Sequence, residues 1–240
     1  MTHFKTGALL VGLSAIALTG RGPLAQVIYV ADDGRQLLSY DVGTDTFTPV
    51  GSPMPTVIGG MGCVDPTLLY GTDPQPSVGL YSIDPSTGTA TLLGQVPGHS
   101  AVGSTVGPDG NVWAISLSPQ GLLYTVDPGT LTPTDIGNTG FSNEGQPAFD
   151  TTGNLYTFRI GPGSDTLYQL DPNTAVGTEI GPVGYSIYAA AFCGDTLYAF
   201  SGGATRVIAT VDTTTGTATV IASYGAPVTG SVQSAACCPQ

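Results

Sequence analysis

Five times along the chain an aspartate closes an apolar-aromatic run in nearly the same words. The phrases are LLSYDVGT, LYSIDPST, LYTVDPGT, LYQLDPNT and IATVDTTT, and their aspartates are Asp41, Asp84, Asp127, Asp171 and Asp212, at intervals of 43, 43, 44 and 41 residues. A second series runs ahead of it: Tyr29, Tyr70, Trp113, Tyr156 and Tyr198, at intervals of 41, 43, 43 and 42. Self-similarity at a fixed period of this length means one supersecondary unit stacked in an array. Five such units account for the chain beyond its first 25 residues, so no second domain is expected.

The fourth unit shows what is being repeated. Gln146–Phe149 reads as a first strand, followed by a Thr151-Thr152-Gly153 turn. Asn154–Arg159 reads as a second strand, Thr166–Leu170 as a third and Gly177–Ile180 as a fourth, with alternation and β-branched content throughout. The D-x-x-T phrase has a local cause. Its carboxylate can accept the backbone N–H two residues on, Pro presets φ, and Gly88 or Gly216 can take a positive φ to close a hairpin. The phrase lacks the clustered oxygens that calcium requires, so a turn is expected there and no metal site.

Four-stranded units of this length predict an all-β fold, a five-bladed β-propeller. The expected blades are approximately 26–55 plus 231–240, 56–98, 99–141, 142–185 and 186–230. The first unit lacks a first strand, and the tail from Ser231 to Cys238 resembles Ser186–Cys193. Donating the C-terminal strand to the N-terminal blade closes the ring and removes an open edge. An open solenoid would leave that tail unexplained.

All four cysteines fall at the ends of first strands. Aligned on the repeat, Cys63 and Cys237 share one position, and Cys193 and Cys238 share the next. Adjacent strand residues face opposite ways, so one assignment suits the ring: Cys63–Cys238 on one side and Cys193–Cys237 on the other. A vicinal Cys237–Cys238 bond and four free thiols are the alternatives. The start of the chain suggests an oxidising compartment. A short basic head ending at Lys5 precedes an apolar run from Ala8 to Thr19, which fits a secretory signal. Residues 1–25 are therefore expected to be a signal peptide, cleaved between 17 and 25, leaving a secreted or periplasmic protein. Arg21 stands where a lipidated cysteine would sit, so no membrane anchor is expected.

Charge narrows the function classes. Charged residues make up 9% of the chain, against roughly 25% in an average globular protein. Beyond the leader the cations are Arg35, Arg159 and Arg206, with one histidine, His99, against 17 acids. Such a chain has no nucleic-acid-binding surface. Lysine Schiff-base chemistry, a P-loop and a poly-histidine metal site are excluded on the same ground.

At LYSIDPSTGT, LYTVDPGTLT and VDTTTGTAT the sequence resembles extracellular bacterial propeller-repeat proteins of the YVTN/NHL-like and quinoprotein-like styles. The resemblance covers essentially everything beyond the leader. It implies the fold and is nearly silent on activity, which resides in loops grafted onto such folds. Quinoprotein repeats place a tryptophan after the D-x-x-T-G turn, whereas the single tryptophan here, Trp113, lies on a second strand. Pyrroloquinoline quinone is therefore not expected, and no other cofactor is implied.

Residues that break the repeat on a repeating scaffold mark the candidate site. Propeller ligands sit at the channel mouth, formed by the loops entering first strands and those joining second to third strands. The entering loops hold His99, Phe141, Asn143, Glu144, Gln146, Tyr185, Tyr188 and Gln233; the second-to-third loops hold Asp33, Arg35, Asp73, Arg159 and Arg206. The ligand-binding set expected from these is His99, Phe141, Asn143, Glu144, Gln146, Arg159, Tyr185, Tyr188 and Gln233. A polar-aromatic set of this kind suits a glycan or a peptide. The expectation is a monomeric, non-catalytic binding module for a glycan or protein ligand, with no catalytic residue assigned. A glycoside hydrolase using Glu144 with Asp33 or Asp73 and a purely structural cell-surface protein are the alternatives.

Overall fold

A computed structural model describes residues 26–117, 120–141, 145–162 and 164–238. The expected signal peptide lies outside the described residues, as do Asn143 and Glu144 of the candidate set. Twenty strands make five antiparallel sheets of four. The first blade holds β1 (Val27–Asp32), β2 (Leu37–Asp41) and β3 (Thr46–Val50). The second holds β4 (Gly60–Asp65), β5 (Leu68–Thr72), β6 (Val78–Ile83) and β7 (Ala90–Val96), and the third β8 (Gly103–Val106), β9 (Val112–Leu117), β10 (Gln120–Asp127) and β11 (Thr132–Asn138). The fourth comprises β12 (Ala148–Phe149), β13 (Leu155–Arg159), β14 (Thr166–Leu170) and β15 (Gly177–Pro182), and the fifth β16 (Ile187–Cys193), β17 (Thr196–Ser201), β18 (Val207–Val211) and β19 (Ala218–Ser223). The last strand, β20 (Val232–Cys237), pairs antiparallel with β1 and supplies the missing inner strand of the first blade.

The inner strands adjoin in a closed ring: β20 meets β4 and β16, β8 meets β4 and β12, and β12 meets β16. A ring of only five is narrow, and the backbones touch. A Cβ on Gly60 would lie 2.0 Å from the Ser104 nitrogen, and one on Gly62 2.0 Å from the Val106 nitrogen. These two glycines let β4 and β8 approach as no other residue would.

The apolar core is divided into slabs between neighbouring blades. Ile28, Val30 and Leu38 of the first blade pack with Phe200 and Ile208 of the fifth, and Leu37 packs with Met61, Leu69 and Ile83 of the second. The other three junctions are filled in the same way. Because each blade buries both faces, its middle strands are apolar almost throughout, and β6 is buried at five of its six residues. Only outer strands such as β3 show solvent-facing positions along their length. That is why a folded chain can do with so little charge.

The D-x-x-T turns form as the local chemistry dictates. Asp41, Asp84, Asp127, Asp171 and Asp212 each accept the N–H two residues on, at 2.7 to 2.8 Å. The residue four places after each aspartate has a positive φ in every blade, even where it is Asp45 (52°), Leu131 (57°) or Ala175 (64°) rather than glycine. The turn therefore holds three side chains in a conformation that normally favours glycine.

These turns tie stability to pH. Donors hold several turn carboxyls below their ordinary value of 3.8: the hydroxyls and then the N–H groups of Thr67, Ser86 and Thr214 act on Asp65, Asp84 and Asp212, and the Asn173 N–H acts on Asp171. A carboxyl lowered on folding stabilises the native state above its unfolded value, and that contribution is lost as pH falls through the folded value. Asp165 runs the other way, because burial raises it; it weakens the fold as pH rises past the ordinary value. The lowered groups outnumber it. The melting temperature is expected to fall as pH drops below the ordinary carboxyl value of 3.8, where the lowered carboxyls protonate. A thermal melt followed by circular dichroism across that range checks this, and a flat profile would refute it.

The fourth blade departs from expectation at its inner strand. Pairing begins at Ala148, not Gln146. Pro147 has no N–H to donate to a ladder, and Gln146 turns into the channel instead. Its Nε2 donates to the carbonyls of Met61 (2.7 Å), Ser104 (3.1 Å) and Ala235 (2.6 Å), and its Oε1 accepts the Ala235 N–H at 2.8 Å. One buried side chain thus bridges the inner strands of three other blades across the axis. Beyond it, a cavity of about 80 Å³ remains, bordered by Cys63, Val106, Ala148, Phe149, Phe192 and Cys237.

Two disulfides flank this cavity. Cys63 is bonded to Cys238 and Cys193 to Cys237, each with a Cα separation of 5.3 Å. Neighbouring residues at the end of the closing strand are thereby tied to the second blade on one side and the fifth on the other.

Candidate functional site

Second-to-third loops and the crossovers between blades share one end of the propeller. The structure disperses the candidate residues over this end. Gln146 has both amide atoms engaged by main chain and is 1% exposed. His99 stacks on Tyr124 at 4.5 Å between ring centroids, and its Nε2 lies 2.8 Å from the Asp135 carboxylate. Phe141 does the equivalent one blade on, stacking on Tyr168 at 4.5 Å. Both rings anchor a crossover against the third strand of the blade it enters. Tyr185 is half-buried against the slab between fourth and fifth blades, and its carbonyl accepts the Asp165 N–H at 3.0 Å. Arg159 is exposed at the end of β13, beside the Tyr168 hydroxyl, which itself donates to Glu179 at 2.7 Å.

Tyr188 and Gln233 occupy equivalent places on neighbouring inner strands. Sequence reading places them in loops; they lie in the inner strands β16 and β20, each at a bulge. The register shifts between Ile187 and Ala189 against β17, and β20 skips Gln233 in its pairing with β1. A bulge re-aims a side chain out of the alternation. Tyr188 is accordingly 40% exposed, in a strand whose other residues are mostly buried. Its ring lies on Gly202, where a Cβ would be 2.5 Å from Cδ2. Gln233 donates through Nε2 to Asp33 Oδ1 at 2.7 Å, while Asp33 Oδ2 accepts the Ser231 N–H at 2.7 Å. Ser231 links back to the fifth blade, its hydroxyl accepting the Gly203 N–H at 3.0 Å.

Arg206 and Arg35 lie in the second-to-third loops of the same two blades, though only Arg159 stands in the candidate ligand-binding set. Each precedes its repeat aspartate by six residues, Asp212 and Asp41. Each carbonyl anchors its crossover, Arg206 accepting Tyr224 N–H at 2.9 Å and Arg35 accepting Met54 N–H at 2.7 Å. Both have a positive φ, 42° and 66°; the third blade solves the same position with Gly121, φ 70°. Two adjacent blades therefore present the same pair of devices, a bulged inner-strand residue and a loop arginine. Repeat alignment of the arginines was the signal available in the sequence.

The described carboxylates in the loops at this end accept donors. Asp32 accepts the N–H groups of Gln36 (2.8 Å) and Thr229 (2.7 Å); Asp73 accepts Gly79 N–H (2.8 Å) and the Tyr81 hydroxyl (3.3 Å). Asp165 accepts the Ile187 N–H at 2.7 Å. Neither Asp33 nor Asp73, the partners considered for Glu144 in a hydrolase, carries a carboxylate oxygen without a donor. No group of three metal-ligating side chains occurs among the described residues.

Structural comparison supports the fold. A chain of the nidogen/laminin complex is similar with a TM-score of 0.65 at 12% identity, covering 89% of this chain and 98% of that one. TolB from Acinetobacter baumannii is similar with a TM-score of 0.55 at 15% identity, covering 84% of this chain but only 53% of TolB. A Bacteroides caccae protein of unknown function gives 0.50 at 13% identity, with 84% and 73% covered. At such identities the likeness concerns the fold alone. No curated protein matches the sequence. Residues 27–239 match the family described as "Repeat of unknown function (DUF6923)", and the chain belongs to that family.

Proposed function

We propose that this protein is an extracytoplasmic, non-catalytic binding module whose ligand, a glycan or a protein segment, docks at the mouth between its fifth and first blades. One observation carries the reading: Tyr188, turned out of a buried strand by a bulge and backed by Gly202, stands exposed at the mouth end of the fifth blade on a rigid scaffold. An exposed aromatic held this way offers apolar contact at little cost in side-chain entropy. Among the described residues, Asp32, Asp33, Asp73 and Asp165 at this end are engaged by N–H and hydroxyl donors, which leaves none of these four poised as an acid or base. Two disulfides and the apolar leader support a location outside the cytoplasm.

A glycan array together with a pull-down from envelope and culture-fluid proteins tests the reading. Tyr188→Ala is expected to weaken whatever the parent binds by about tenfold or more. Unchanged binding by that variant would place the site elsewhere.

A further inference from the structure

Arginines are segregated along the propeller axis. The D-x-x-T turns and the hairpins joining first to second strands lie at one end, and ten of the 17 acids sit in them. The opposite end, the mouth, carries Arg35, Arg159 and Arg206, alongside Asp32, Asp33, Asp73 and Asp165. Among the described residues no carboxylate lies within salt-bridge distance of an arginine; the one carboxylate–imidazole contact joins Asp135 to His99. Arg35 makes a single long contact, 3.4 Å to the Pro55 carbonyl. The mouth acids Asp32, Asp33, Asp73 and Asp165 take N–H donors into their carboxylates instead.

Backbone conformation gives a second, independent observation. Among described non-glycine residues, five have a positive φ, and three of these, Asp45, Leu131 and Ala175, belong to the repeated turn. The other two are Arg35 and Arg206. A side chain in that region is disfavoured relative to glycine, and the third blade shows that glycine serves this loop. The first and fifth blades, which carry Gln233 and Tyr188 at their inner strands, keep an arginine there at matched positions.

We infer that the mouth is a clamp for a carboxylate-bearing saccharide, a uronic-acid-containing chain whose sugar face packs on Tyr188 and whose carboxylates are gripped by Arg206 and Arg35. This rests on the binding-module reading and names its ligand class. A guanidinium matches a carboxylate bidentately, and an exposed aromatic ring suits the C–H face of a pyranose. Two guanidiniums on adjacent blades take successive charges of one chain.

Calorimetric titration of the full chain with hexamers of galacturonate, alginate and hyaluronate tests this, with the methyl-esterified galacturonate hexamer and poly-L-glutamate as comparators. At least one acidic hexamer is expected to bind, with affinity falling as salt rises. Masking its carboxylates, Arg206→Gln and Arg35→Gln should each weaken binding about tenfold or more. The inference is overturned if no acidic hexamer binds, if the arginine variants or the ester bind as well as their parents, or if poly-L-glutamate binds and the saccharides do not. Ester-insensitive binding that Tyr188→Ala abolishes overturns the anionic clamp and leaves the binding module standing. Binding indifferent to Tyr188 overturns both.

Discussion

Gln146→Ala is expected to lower the unfolding free energy by about 3–5 kcal/mol. The substitution removes the group that receives the Ala235 N–H and supplies donors to the carbonyls of Met61, Ser104 and Ala235. These main-chain groups sit at the centre of the ring, where leaving a polar group unpaired costs about 1–3 kcal/mol each. Water entering from the adjoining 80 Å³ cavity recovers part of that. Gln146→Met, which keeps the volume, isolates the hydrogen-bonding part and should be nearly as damaging. Gln146→Glu should be worse still, because a carboxylate would face three carbonyl oxygens with no proton to offer. Urea unfolding of the three variants measures this; a loss below about 1 kcal/mol for the alanine variant would mean that the axis is held by the strands alone.

The second large effect concerns ring closure. Cys63 and Cys238 are separated by 175 residues, and Cys193 and Cys237 by 44. Loop-closure entropy assigns about 5 and about 4 kcal/mol to constraining the unfolded chain over those spans. Replacing Cys63 and Cys238 together with serine should therefore cost more than replacing Cys193 and Cys237. Removing all four should leave β20 held by its pairing with β1, by Gln146 and by the burial of Val232, Ala235 and Ala236, with no covalent tie. Urea midpoints of the two double variants and the quadruple variant check the ranking. Equal stability of all three with the parent would show that closure needs no covalent clasp. Hydrogen exchange should locate the loosened segment in β20 and β1, since a released edge exposes its N–H groups first.

The comparison of sequence with structure turns on particular elements. The recurring Asp and aromatic positions were enough to read five blades and the donated tail, because Asx turns and strand alternation are decided within a few residues and then repeated. Gln146 was read as a ligand-facing residue on the same logic, since it breaks the repeat. It breaks the repeat for another reason: a five-membered ring leaves an axial gap whose main-chain groups need a partner. His99 and Phe141 likewise differ from their neighbours yet serve one role, packing a crossover onto Tyr124 and Tyr168. Non-repetition by itself does not tell a residue that packs a crossover or plugs the axis from one that faces outward.

What the chain determines locally is therefore the blade: strand, turn, period and number, written in hydrophobic alternation and in the D-x-x-T chemistry. What only the tertiary structure decides is which blades stand side by side. Tyr188 and Gln233 lie 45 residues apart in sequence, and Arg35 lies 171 residues before Arg206, yet all four fall at the mouth end of two adjoining blades. The last blade meets the first only when β20 closes the ring, and no local interaction carries that adjacency. It follows from burying five apolar slabs at once, which requires every blade to find a neighbour on both sides.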